Sequence, residues 1–215
     1  MSRRSDRPRW TGHFVCKGHL IVDASDLEGI LAFLRDAERL KDTLRSGHTS
    51  GGRPESVAEH TWRLCLMAVL LRDEFPGLDF ARLIRICIIH DLGEALGGDI
   101  PAVEQIQGQP KSGQERRDLI RLIDPLPGRL RDELIGLWDE YEQAATAEAR
   151  LAKALDKLET IMQHNQGQNP EDFDYRFNLG YGRQFTGVHP LLAAIREVLD
   201  RETERRAQEA RPGGE

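Results

Sequence analysis

Cysteine is scarce in this chain. Its 215 residues hold three, Cys16, Cys65 and Cys87, an odd number with no CxxC spacing. That argues against a disulfide framework, and Cys65 and Cys87, set in apolar stretches, read as small core residues of a protein in a reducing cytoplasm. Long apolar runs are missing as well, so no segment is expected to span a membrane. The N-terminus, Met1 to Arg7, is basic but lacks the apolar segment of a secretory signal. An excess of positive charge is also absent. The net charge of −6 argues against a nucleic-acid polymer as partner, though it leaves room for a local basic pocket that holds one phosphate. Strand signals are few. Phe14-Val15-Cys16 and Leu20-Ile21-Val22 suggest at most one short hairpin in an N-terminal tail, residues 1–24.

What is present is helical periodicity and enough apolar content, 39%, for one core. The fold class is therefore all-α, with one domain over 25–200 and a charged, mobile tail over 201–215. Ser25 is placed as N-cap of a helix with Leu27, Ile30, Leu31, Leu34 and Leu40 on its inner side. Ser56 and Glu59 form a capping box for a helix that runs to about Glu74. Asp79 caps a third helix, which carries the apolar run Leu83 to Ile89 through His90-Asp91 and towards Leu96 before Gly97-Gly98 breaks it. A polar loop, Gln105 to Gly113, precedes helices near Glu115–Ile123 and Leu130–Ala144. Thr146 caps a long helix from Ala147 to about His164, and a last helix starts near Pro190. Between them, Asn165 to Val188 is rich in glycine and aromatics and reads as a long ordered loop, a lid or an interface. It is the ground for expecting a homodimer.

The chemistry concentrates at His90-Asp91. Charged groups at the end of so apolar a segment must be paired or bound to metal, because burying unpaired charge is very costly. His60 shares an inward stripe with Leu64, Met67 and Leu71, and Asp156 sits at the edge of the stripe Leu151, Leu155, Leu158, Met162. Each of these residues taken singly reads as an ordinary core histidine or a paired carboxylate. Three helices that each bring such a group inward point instead to a divalent metal held by His60, His90, Asp91 and Asp156. Glu94, three residues after Asp91, is placed to take a proton from water. Asp99 follows a double glycine where backbone can approach a ligand. Lys157, beside Asp156, either reaches a phosphate or pairs with a carboxylate.

The series His60, His90-Asp91, Asp156 resembles the H…HD…D signature of the HD-domain phosphohydrolases. The strings Arg53-Pro54-Glu55-Ser56-Val57-Ala58-Glu59-His60, His90-Asp91-Leu92-Gly93-Glu94, Gly98-Asp99-Ile100-Pro101, Leu137-Trp138-Asp139-Glu140-Tyr141-Glu142 and Ala154-Leu155-Asp156-Lys157-Leu158-Glu159 resemble its 5'-deoxynucleotidase branch. The resemblance covers roughly Ile30 to Leu192. It implies an all-α HD-domain bundle around one divalent ion (Mn, Co, Fe, Zn or Mg) and a nucleoside monophosphate substrate. It further implies Glu94 as the water-activating carboxylate, Asp99 on the sugar side and Arg45 on the phosphate. Relatives carry an aromatic at or near His48, which marks that position as a substrate contact. Competing readings are an HD phosphohydrolase of cyclic or polyphosphorylated nucleotides, a non-catalytic nucleotide sensor, and a di-iron oxygenase. The last needs further histidine ligands, for which only His164 is on hand.

Overall fold

The computed structural model describes residues 24–100 and 111–210. The expected hairpin at 14–22 and most of the polar loop at 105–113 lie outside the described residues. The architecture is a helical bundle with a single two-stranded sheet among the described residues.

Helix α1 (Ala24–Ala37) leads through a short 3-10 turn, Glu38–Lys41, into strand β1 (Leu44–His48). The antiparallel partner is β2 (Pro54–Ser56), and the pairing is irregular between Leu44 and His48. The chain then enters α2 (Val57–Leu70) through the expected capping box. Ser56 Oγ accepts from the Glu59 backbone N–H, and the Glu59 carboxylate accepts from the Ser56 N–H. That cap satisfies two donors that a helix start leaves open. Asp79 caps α3 (Phe80–Ile89), and α4 (Glu94–Gly97), α5 (Lys111–Leu122) and α6 (Gly128–Gln143) follow. Thr146 caps α7 (Ala147–Gln166) as expected. The short helices α8 (Phe177–Gly180) and α9 (Arg183–Thr186) lead to α10 (Pro190–Glu209).

Helix α7 is the axis of the bundle. Thirteen of its 20 residues are buried, too many for a single face, as expected of a helix enclosed on most sides. It packs against α2, α3, α6, α9, α10 and β1. Leu64, Ile86, Leu155, Leu158 and Ile161 fill the space between these helices. No helix among the described residues is long and apolar enough to cross a membrane.

Four expectations need correction. The apolar stripe of α1 does not face inward throughout: Ile30 and Phe33 pack on the core, while Leu27, Leu31 and Leu34 are exposed. Helix α2 ends at Leu70, and Arg72–Glu74 form a separate 3-10 turn. Helix α3 stops at Ile89 and does not carry through Asp91. Tight turns, Leu92 N–H to Ile89 O and Glu94 N–H to Asp91 O, break the ladder there. The charged tail set to begin at 201 is helical to Glu209. Thr203 is buried, and Arg206 donates to the Gly167 carbonyl and to the Tyr175 hydroxyl, which anchors the end of α10.

Candidate metal centre

His60 lies in the first turn of α2 and is completely buried. Its Nδ1 is hydrogen-bonded to Glu159 of α7, which turns Nε2 towards His90 and Asp156. His90, at the end of α3, is arranged the same way, since Nδ1–H donates to the Cys87 carbonyl at 2.8 Å. The two freed atoms, His60 Nε2 and His90 Nε2, are buried and have no hydrogen-bond partner among the described residues. They converge with Asp156, and one donor atom from each of the three lies within 4.8 Å of the others. Asp91 Oδ2 completes the set, 3.1 Å from His90 Nε2 and 3.8 Å from His60 Nε2. Asp156 Oδ1 is 3.3 Å from His60 Nε2, while its Oδ2 accepts from the Tyr141 hydroxyl at 2.5 Å and pairs with Lys157 at 2.9 Å.

Two buried imidazole nitrogens and two carboxylates around one point fit a divalent ion. This N/O donor set suits Mn, Co, Fe or Zn. The same surroundings draw a proton to His60 Nε2, which a bound ion would displace. Burial and the nearby Arg45 both disfavour a charged His60 ring, yet Glu159 and Asp156 outweigh them and push it up to about 10. Asp91 and Asp156 are held below the usual carboxylate range. Burial opposes this, but His90 for the first and Lys157 for the second prevail. A centre with this negative potential attracts a cation. Glu55, His60 and Glu159 form a second cluster, but arginines already neutralise it. Arg63 Nε donates to Glu159 at 2.6 Å, and Glu55 lies 3.6 Å from Arg45 and 3.8 Å from Arg63.

The centre opens into a cavity of about 750 Å³. Arg45, from β1, lines it beside the cluster. Its guanidinium donates to Thr160 Oγ1 at 3.0 Å and reaches Asp91 Oδ2 at 3.5 Å. Burial alone would lower its pKa, but Asp91, Asp99 and Asp156 raise it, so it stays cationic. Glu94 and Asp99 line the same cavity. Glu94 is buried and held close to Asp91 by the turn into α4. Gly93 makes that turn possible, because a Cβ there would stand 2.5 Å from the Glu115 carbonyl of α5. The structure thus brings His60, His90, Asp91, Asp156, Glu94, Asp99 and Arg45 together.

His48 is not part of the cavity wall, and Ser46 is. His48 is tied by its backbone to the end of α7, its N–H to Asn169 and its carbonyl to the Gln163 amide. Lys157 lines the cavity and pairs with Asp156. His164 belongs to no cluster of possible metal ligands among the described residues. Sequence reasoning did not single out Glu159, Tyr141 or Thr160, which hold His60, Asp156 and Arg45 in place.

A family model for the HD domain matches residues 37–196. The chain belongs to the HD-domain family. Among HD-domain relatives, the 5'-deoxynucleotidase HDDC2 of Mus musculus is 34% identical over 87% of this chain and 94% of its own length. The human protein of the same name is 35% identical over 66% of this chain and 70% of its own. The predicted metal-dependent phosphohydrolase from Magnetospirillum magnetotacticum superposes with a TM-score of 0.73 at 29% identity, over 85% of this chain and 94% of that one. A more distant HD phosphohydrolase, from cyanophage S-2L, shares the fold at a TM-score of 0.52 and 18% identity, over 81% of this chain and 96% of that one.

Proposed function

We propose that this HD-domain protein is a metal-dependent phosphomonoesterase that hydrolyses deoxynucleoside 5'-monophosphates to deoxynucleoside and phosphate. The observation that carries the reading is Arg45. A guanidinium that enters the cavity next to the four-ligand cluster, braced by Thr160, is what one terminal phosphate requires. The Mus musculus relative named 5'-deoxynucleotidase, matched over 94% of its own length, supports the substrate class.

His60, His90, Asp91 and Asp156 would hold the ion, whose chemistry is to acidify water and polarise a phosphoryl oxygen. The other roles belong to the chain. Arg45 binds and orients the phosphate. Glu94, buried at the cavity edge, accepts the proton of the attacking water as the water oxygen displaces the ester oxygen from phosphorus, and that proton then passes to the departing deoxynucleoside oxygen. Asp99 faces the sugar side. Lys157 neutralises Asp156 and adds positive charge to the same wall.

A phosphate-release assay over 5'-monophosphates, 3'-monophosphates and cyclic nucleotides, with and without chelator, tests the reading. Preferential cleavage of cyclic nucleotides, or activity that survives chelation, would refute it. Glu94→Gln should keep its metal content and lose ~10²–10⁴ in turnover. Near wild-type turnover would remove Glu94 from the mechanism.

A homodimer is part of this reading. Its support is no longer the aromatic segment, whose Phe173, Phe177 and Tyr181 line the cavity. It is the outer face of α2, where Trp62 is 66% exposed beside Leu66, Val69 and Leu70, an apolar stripe of the kind that marks an interface. Sedimentation should give twice the chain mass for the wild type and a monomer for Trp62→Glu; a monomeric wild type sinks the proposal. A cytoplasmic location is supported by the free thiols of Cys65 and Cys87, and cell fractionation tests it.

A further inference from the structure

The cavity is much longer than the metal centre, and α7 runs along it. Lys153, Asp156, Lys157, Thr160 and His164 all line it. Asp156 and His164 are eight residues apart, about 12 Å at the helical rise, the length of an extended nucleoside monophosphate. The phosphate end is set by the cluster at Asp156 together with Arg45, which rests on Thr160 one turn along. One turn further along α7 is His164, and the wall facing it is built from the segment after the helix.

That wall has the properties of a base-binding surface. Phe173 stands edge-on to His164, with ring centroids 4.8 Å apart at 73°, and Phe173 and Phe177 are each only half-buried on the cavity side. Asn178, next to Phe177 in the chain, lines the same cavity and is 1% exposed. Its Oδ1 accepts from His164 Nδ1 at 3.0 Å. Its backbone carbonyl accepts from the buried Arg196 at 2.6 Å, so the backbone that carries this side chain is anchored too. Its Nδ2 has no hydrogen-bond partner among the described residues. A buried amide donor left open is destabilising, and a ligand acceptor relieves it.

The opposite end of the cavity differs. There Lys153 pairs with Glu142 at 3.4 Å and sits 4.0 Å over the Tyr141 ring. Its charge and its aromatic face are already committed to each other.

We propose that His164, Phe173, Phe177 and Asn178 form the nucleobase compartment of this site, with a base covered by Phe173 and an acceptor on its edge bonded to Asn178 Nδ2. The proposal rests on the nucleotide reading above. Because Oδ1 is taken by His164, the compartment offers a donor and no amide acceptor. It therefore strengthens the binding of every base that turns a carbonyl or ring nitrogen towards it. Specificity for the base-bearing substrate then lies in residues 170–178, away from the reacting phosphorus.

The test compares kcat/KM for a deoxynucleoside 5'-monophosphate with that for deoxyribose 5-phosphate, which has no base. The wild type should prefer the nucleotide. Phe173→Ala and Asn178→Leu should each lower that preference about tenfold, the scale of one lost stacking or buried hydrogen-bond contact, through KM and not kcat. Phe173→Trp should restore it. Asn178 is buried and its variant can fail to fold; Phe173, at the surface of the cavity, is then the deciding position. An unchanged preference in folded Phe173→Ala, or equal losses on both substrates, would overturn the proposal. So would a wild type that does not distinguish the two substrates, which would leave the phosphomonoesterase reading standing. Release of phosphate from neither substrate would instead defeat the catalytic reading. Calorimetric titration with a deoxynucleoside then still decides the compartment: binding weakened by Phe173→Ala upholds it, and no binding to the wild type overturns it.

Discussion

Glu159 is fully buried, bonded to His60 on one side and to Arg63 on the other. It touches no ligand position, and its work is to fix the tautomer and direction of the His60 ring. Carboxylates in this position typically raise metal affinity 10–100-fold. Glu159→Gln should therefore weaken the metal dissociation constant by on the order of 10–100-fold, read by competition with a chelating dye, while Glu159→Asp recovers part of the loss. Unchanged affinity in a folded Glu159→Gln protein would reduce Glu159 to a charge partner of Arg63. The convergence of His60, His90, Asp91 and Asp156 was legible in the sequence because each polar group sits in or at the end of an apolar stretch, which solvent does not explain. Glu159 was not, because a glutamate one turn after Asp156 looks the same whether it faces water or a histidine. His48 failed for a different reason. A regular strand would show His48 and Ser46 on one face, but the pairing of β1 and β2 is irregular between Leu44 and His48. Across that irregular stretch the neighbours Arg45 and Ser46 both line the cavity and His48 does not.

At the scale of elements, what the sequence declares clearly is caps and long helices. Ser56-Glu59, Asp79 and Thr146 each start a helix where expected, because a side-chain oxygen satisfies backbone donors whatever the tertiary surroundings. The sheet was illegible. Its strands are short and polar, and they are held together by the turn at Thr49–Gly52 and by contacts to α7, not by an alternating pattern. The end of α3 was illegible too, since nothing local distinguishes a helix that continues from one that breaks into turns against α5. That break sets the position of Glu94. Gly93→Ala puts a methyl against the Glu115 carbonyl and should push α4 outward. We expect metal content to stay and turnover to drop at least tenfold, with a stability loss of about 1–3 kcal/mol for overpacking. Paired kinetics and urea unfolding check this; wild-type turnover would show that the contact yields without moving Glu94.

For the whole molecule, the clearest pH signature comes from His164. Burial chiefly, and Arg45 in addition, hold it down to about 4 from an ordinary 6.5. Above about pH 6.5 the ring is neutral folded or unfolded, and its contribution to stability is complete. As the pH falls from there to about 4, the unfolded chain takes up a proton that the folded one refuses, and stability declines by about 3 kcal/mol. Urea titrations at pH 7 and pH 4.5 should show a smaller decline for His164→Gln than for the wild type; identical declines would refute the assignment. His164 also shows how much is loaded on α7. That one helix carries the proposed metal ligand Asp156, Glu159 bonded to His60, the brace for Arg45 at Thr160, and the core residues Leu155, Leu158 and Ile161. Almost any substitution along it therefore alters several properties at once, and its freedom to diverge is small. New substrate ranges can evolve more freely in what hangs from α7, the strand around Ser46 and the segment 170–178. Ser46, Phe173 and Phe177 meet the cavity and are only partly buried, so lineages of this fold are expected to differ in substrate there first.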